Sequence, residues 1–236
     1  MEIFKRIPDL ESTVARASGL FSWNKEHYHT RDHAMYMLNV FDKYYERIEE
    51  FNMEGFTCDE QSALALAIVF HDCVYNPGAG DNEEQSVCVA NNVMRDEGIP
   101  SWVRKMVAEL IMSTKPGAVP ESRLQRILHD LDWCCFITYD ELLDAERKIM
   151  KECRDAGYLL RDVIGRRFEF YDSLYMAKDP ILVGPFEDMG GHARYNLMRR
   201  RFEFMQKAEV GPQFEDALAC KRQKQRRSNF IDTMEK

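Results

Sequence analysis

Residues Ala63 to Phe70, ALALAIVF, form an unbroken apolar run of eight residues that leads directly into His71 and Asp72. A segment that is apolar on every side must be buried on every side. The alternating alanines favour a fully buried helix over a central strand. The pair that ends it is costly, because a buried imidazole and a buried carboxylate each lose several kcal/mol of hydration unless a partner or a metal compensates them. A compensating ligand is therefore expected where this helix ends.

The rest of the chain reads as helices. Ala34, Met37, Leu38, Phe41, Tyr44, Tyr45, Ile48 and Phe51 follow helical spacing, which predicts one amphipathic helix of about five turns. NPGAG at 76–80 predicts a loop, and Asp81 with Glu84 predicts a capping box that starts a helix ending near Glu97, at Gly98 and Pro100. Further helices are expected near 101–113, 122–136, 139–155, 159–177 and 193–208. Strand signals are weak, and no repeat or Pro/Gly/Ser linker divides the chain. The expected architecture is all-α: a single helical-bundle domain over 20–208, preceded by an N-terminal helical extension (1–19) and followed by a basic tail (209–236) containing KRQKQRRS.

The 236 residues are 45% hydrophobic, enough for a substantial core. A net charge of −8 argues against a nucleic-acid polymer or an anionic membrane as partner, so a phosphorylated substrate must be attracted by local cations or a metal. The seven cysteines form no CxxC pair and read as reduced core residues. No stretch approaches the roughly 18 apolar residues that span a bilayer. The expectation is a soluble cytoplasmic protein, with homo-oligomerisation left open.

Three of the six histidines crowd EHYHTRDH, at 27, 29 and 33. His33 precedes Met37 and Phe41 by one and two turns, so it shares their inward face. A second His-Asp pair stands in LHDLDW. With about 100° per residue, His129 falls opposite the apolar face of Leu124, Ile127, Leu128 and Leu131 and is expected to see solvent. Asp130 and Asp132 lie on opposite flanks of that face. One of them can reach a shared site, and periodicity does not choose between them.

The ordered set YHTRDH, HDCVY, DNEEQS, STK and HDLDW resembles the HD superfamily of metal-dependent phosphohydrolases, in its small stand-alone bacterial-type branch; SLYMAKDP and HARYNL resemble that branch's closing helices. The resemblance covers roughly residues 20–205. It implies a helical bundle holding one divalent ion (Mn, Mg, Co, Ni, Zn or Fe) with His33, His71, Asp72 and Asp132. Many relatives carry a further histidine soon after the TK of the STK segment, whereas this chain reads STKPGAVP, which favours one ion over two.

The implied activity is hydrolysis of a phosphomonoester or phosphodiester of a small metabolite or nucleotide by metal-activated water. Asp72 would also orient or deprotonate that water, and Glu83 would serve as an acid over the open positions. Lys115, following an apolar helix, suits a substrate phosphate, and His29 and Tyr28, one turn before His33, suit the pocket wall. Two other readings share the resemblance: an HD-fold di-iron oxygenase, and a non-catalytic regulatory module.

Overall fold

A computed structural model describes residues 10–17, 19, 26–52, 55–176 and 180–206. Most of the N-terminal extension and the basic tail lie outside the described residues. Among the described residues the chain is all-helical, a single bundle without a strand, and no helix is long and apolar enough to cross a membrane.

The post of the bundle is the apolar run. Helix α4 (Cys58–Phe70) begins at Thr57, whose hydroxyl accepts from the Glu60 N–H (3.1 Å) while the Glu60 carboxylate accepts from the Thr57 N–H (2.8 Å). This reciprocal cap holds the end that faces water. Every residue from Ala63 to Phe70 is buried. Around α4 pack α1 (Leu10–Ala17), α2 (Arg31–Lys43), α5 (Asn82–Asp96), α6 (Ser101–Met112) and α7 (Arg123–Trp133). Burial on all sides explains why α4 shows no polar stripe.

Helix α2 is capped by Thr30 and buries His33, Ala34, Met37, Leu38 and Phe41, the face expected from spacing. The single five-turn helix is not observed. It breaks at Tyr44 (φ −108°, ψ 24°) and resumes as α3 (Tyr45–Phe51). The break falls where the Tyr44 ring meets Phe186 edge-on at 5.4 Å and Arg47 donates to the Pro185 carbonyl at 2.7 Å. A loop distant in sequence therefore docks on the hinge. The capping box at Asp81 is also absent: Asp81 takes φ −132°, ψ 20°, outside the extended region a capping residue prefers, and its side chain accepts from Gln85 instead. The far end of α5 behaves as expected. Gly98 takes φ +75°, open to glycine, and the Ile99 N–H reaches back to the Met94 carbonyl at 2.9 Å.

Helix α7 continues into a 3-10 turn, Cys134–Phe136, and the second half of the bundle follows: α8 (Tyr139–Asp155), α9 (Leu160–Met176) and α10 (Gly190–Gln206). A buried ionic group joins these three. Glu146 on α8 accepts from the Arg200 Nε of α10 (2.9 Å) and from the Tyr171 hydroxyl of α9 (2.5 Å). Without Glu146, Arg200 keeps its pair with Glu203 (2.9 Å) while the Tyr171 hydroxyl loses its acceptor, so Glu146→Ala is expected to cost about 1–3 kcal/mol in urea denaturation. Of the cysteines, Cys73, Cys134 and Cys135 are buried while Cys58 and Cys88 are exposed, and none is bonded among the described residues.

Candidate metal centre

The centre assembles from three helices. The chain leaves α4 at His71, still helical (φ −56°, ψ −36°) with its N–H on the Ala67 carbonyl at 2.9 Å, so the imidazole is rigidly seated. Asp72 follows. His33 projects from the first turns of α2 and Asp132 from the last turn of α7. One ligand atom of each of these four residues lies within 4.8 Å of all the others. They form the single such group of His, Cys, Asp and Glu side chains among the described residues.

The hydrogen bonds define what is missing between them. His71 Nδ1 lies 3.1 Å from the Ile68 carbonyl, which can only accept, so Nδ1 carries a proton and donates. Nε2 then points at Asp72 Oδ2 (2.9 Å) and Asp132 Oδ1 (3.7 Å). It is buried and satisfies no hydrogen-bond geometry. A neutral imidazole in this place aims a lone pair at two carboxylates, which is repulsive unless a proton or a metal ion sits between. His33 Nε2 stands 3.1 Å from the same Asp132 oxygen, and the two imidazole rings are 5.3 Å apart.

The titration of the group follows from this crowding. Burial pushes His33 below the usual histidine range, and its bond to Asp132 does not reverse this. Burial opposes the charge on His71 as well, but Asp72 and Asp132 outweigh it and raise its pKa. For both carboxyls burial opposes ionisation. His71 and His29 nonetheless hold Asp72 below the usual range, and His33 and His71 do the same for Asp132. Two carboxylates and two imidazoles are a charge-balanced donor set for one divalent cation, and a mixed N/O set suits Mn, Fe, Co, Ni, Zn or Mg. The imidazoles are nearly inaccessible while the Asp72 and Asp132 side chains keep 17% and 22% of their exposure, so the group opens to solvent on its carboxylate side.

The turn after α4 is held by two residues whose role the sequence analysis missed. Asn82 accepts from the Asn76 N–H (2.9 Å) and donates to the Asn76 carbonyl (3.2 Å); Ser86 accepts from the Val74 N–H at 3.1 Å. Both are buried, one turn apart on α5. Two small polar residues on the inward face of a helix are a signal for such a clamp.

Tyr28 lies against His33, ring centres 4.4 Å apart, with its hydroxyl 3.6 Å from Cys135 Sγ. His29 stacks on Tyr75 at 3.4 Å and bonds Glu152 through Nδ1 at 2.5 Å, close enough for its charge to act on Asp72. Glu83 and Lys115 meet at the first turn of α5. The Lys115 amine pairs with Glu84, and the negative charge of Glu83 also acts on it. His129 is half-buried rather than solvated, its ring stacked on Trp133 at 4.8 Å. Asp130 turns away from the centre and is wholly buried against a distant loop. Comparisons with protein-family models, with curated proteins and with solved structures return no match, so the chemistry of this centre is read from its own four side chains.

Proposed function

We propose that the chain is a metal-dependent phosphohydrolase of the HD type, cleaving a phosphomonoester or phosphodiester of a small metabolite or nucleotide. The observation that carries this reading is the four-residue group in which the buried His71 Nε2 faces two carboxylates with no hydrogen-bonded partner. His33, His71, Asp72 and Asp132 would hold one divalent ion. When bound, such an ion supplies a Lewis acid that lowers the pKa of water and offsets charge on phosphoryl oxygens.

The protein's own groups divide the remaining work. Asp72, at the open side, accepts a proton from the attacking water as the new P–O bond forms. His29, locked by Glu152 and the Tyr75 ring, adds positive influence beside that carboxylate. The ester P–O bond breaks, and the leaving alkoxide takes a proton; Glu83 is the proposed donor, and Lys115 the proposed point charge for phosphate once released from Glu84. Tyr28 walls the site beside His33. A two-iron oxygenase would need more ligands than the single group of four found among the described residues.

The test is hydrolysis of an aryl phosphate and a nucleotide panel by metal-stripped protein, with each divalent ion restored in turn. Turnover is expected only with added ion. Turnover that survives chelation, or none with any ion on any ester, overturns the proposal.

A further inference from the structure

A cavity of about 380 Å³ adjoins the centre and shares His33 and Tyr28 with it. That volume is in the range of small-molecule pockets. Its apolar lining comes from the Tyr28 and Tyr36 rings, Cys135 and Ala145. Its charged lining is unbalanced. Asp144 is answered by Lys148 (2.7 Å) and Arg147 (2.6 Å), and His27 is held by Asp155 at 2.8 Å. The Lys148 amine and the His27 imidazole are thus each already held by a carboxylate. Asp32 and Asp140 have no ion-pair partner among the described residues, and the Glu141 carboxylate accepts from the Thr138 hydroxyl (2.7 Å) while the Glu141 N–H donates to the same hydroxyl oxygen.

Two helix N-termini explain part of this, because Asp32 stands in the first turn of α2 and Asp140 and Glu141 in the first turn of α8. They do not explain why the two starts face each other across an aromatic-walled space that ends on His33. Aromatic faces together with carboxylates are the surroundings that recognise an organic ammonium group, through ring quadrupole and charge. The same surroundings repel a second anionic group on a substrate.

We propose that this cavity receives a positively charged leaving group, so that the substrates are phosphate esters of amino or quaternary-ammonium alcohols. The catalytic half of this assignment rests on the phosphohydrolase reading; the binding half stands without it. Asp32 and Asp140 set the charge preference, the Tyr28 and Tyr36 rings provide the walls, and the phosphoryl end lies toward His33, where the cavity meets the centre.

The experiment pairs choline with its neutral isostere 3,3-dimethylbutan-1-ol, titrated calorimetrically into the full chain with and without bound Mn²⁺. Choline is expected to bind in both forms, about tenfold or more tighter than the isostere. The exposed double substitution Asp32→Asn/Asp140→Asn is expected to erase the difference while leaving the melting temperature near that of the parent. Equal binding of the two alcohols, binding of neither at millimolar concentration, or an undiminished preference in the double variant overturns the proposal. With Mn²⁺, phosphocholine is expected to show a higher kcat/KM than the phosphate ester of the isostere. Equal turnover of the two esters sinks the ammonium assignment and leaves the hydrolase standing. Turnover of neither, alongside choline binding that Asp32→Asn/Asp140→Asn abolishes, sinks the hydrolase and leaves the ammonium pocket.

Discussion

Divalent-ion binding is expected to disappear in Asp132→Asn and His71→Ala, with metal-dependent hydrolysis falling to background. Asp132 Oδ1 lies between His33 Nε2 (3.1 Å) and His71 Nε2 (3.7 Å), so its loss removes the donor that bridges the two imidazoles. Outer groups that merely orient a ligand cost about 10–100-fold in metal affinity when removed; a direct ligand is expected to cost at least the upper figure. Asp132→Asn is the cleaner variant, because it keeps shape and volume while removing the negative charge. A thermal melt separates this loss from misfolding. At an ion concentration one hundred times the parent's Kd, the parent gains about 2.7 kcal/mol from binding to the folded state, whereas Asp132→Asn gains about 0.4 kcal/mol or less. A parent protein whose melting temperature no divalent ion moves would refute the centre itself.

Asp130 stands two residues away, and its replacement has a different expected consequence. Its carboxylate is wholly buried and accepts from the backbone N–H groups of Val183 (2.8 Å), Gly184 (2.9 Å) and Phe186 (2.9 Å). It thereby holds the loop between α9 and α10 to α7, and with it Phe186, the ring that meets Tyr44 at the α2–α3 break. The loop passes so close that a Cβ on Gly184 would come within 2.6 Å of the Arg126 carbonyl oxygen. Hydrogen bonds to a charged acceptor contribute about 1.5–3 kcal/mol each, and three N–H groups left without a partner, two of them buried, are expected to destabilise Asp130→Ala by about 4 kcal/mol. Asp130→Asn retains one acceptor oxygen and should fall between. Chemical denaturation measures the loss, and metal titration of Asp130→Asn below its melting temperature should still show binding. Metal binding lost in Asp130→Asn but kept in Asp132→Asn would reverse the roles of the two acids.

That reversal is worth testing because periodicity along LHDLDW leaves the two aspartates equivalent. Both flank the same apolar stripe; what separates them is the neighbour on each flank, a backbone loop some fifty residues downstream for Asp130 and the ends of α2 and α4 for Asp132. His33 was legible because it repeats the phase of Met37 and Phe41, and His71 because an all-apolar helix stops at it. Family resemblance, rather than spacing, selected Asp132.

Local patterns failed where a distant contact competed with them. Asp81 and Glu84 have the sequence of a capping box, but Lys115, brought beside them by α6, takes the Glu84 carboxylate. The α2–α3 stripe runs through Tyr44 unbroken, yet the chain bends there against Phe186. The clamps by Asn82 and Ser86 are visible in sequence only as small polar residues out of place on an inward face.

The sequence by itself determined the helical class, the burial of α4 and the inward direction of His33 and His71, because these depend on the 3.6-residue period and on the cost of leaving apolar surface in water. Only the tertiary structure brought Asp132, which spacing could not separate from Asp130, against the two imidazoles, and placed an acid-lined aromatic cavity beside them. Those outcomes depend on which side chains α2, α7 and α8 bring within a few ångströms of one another, and helical spacing within one segment carries no record of its neighbours.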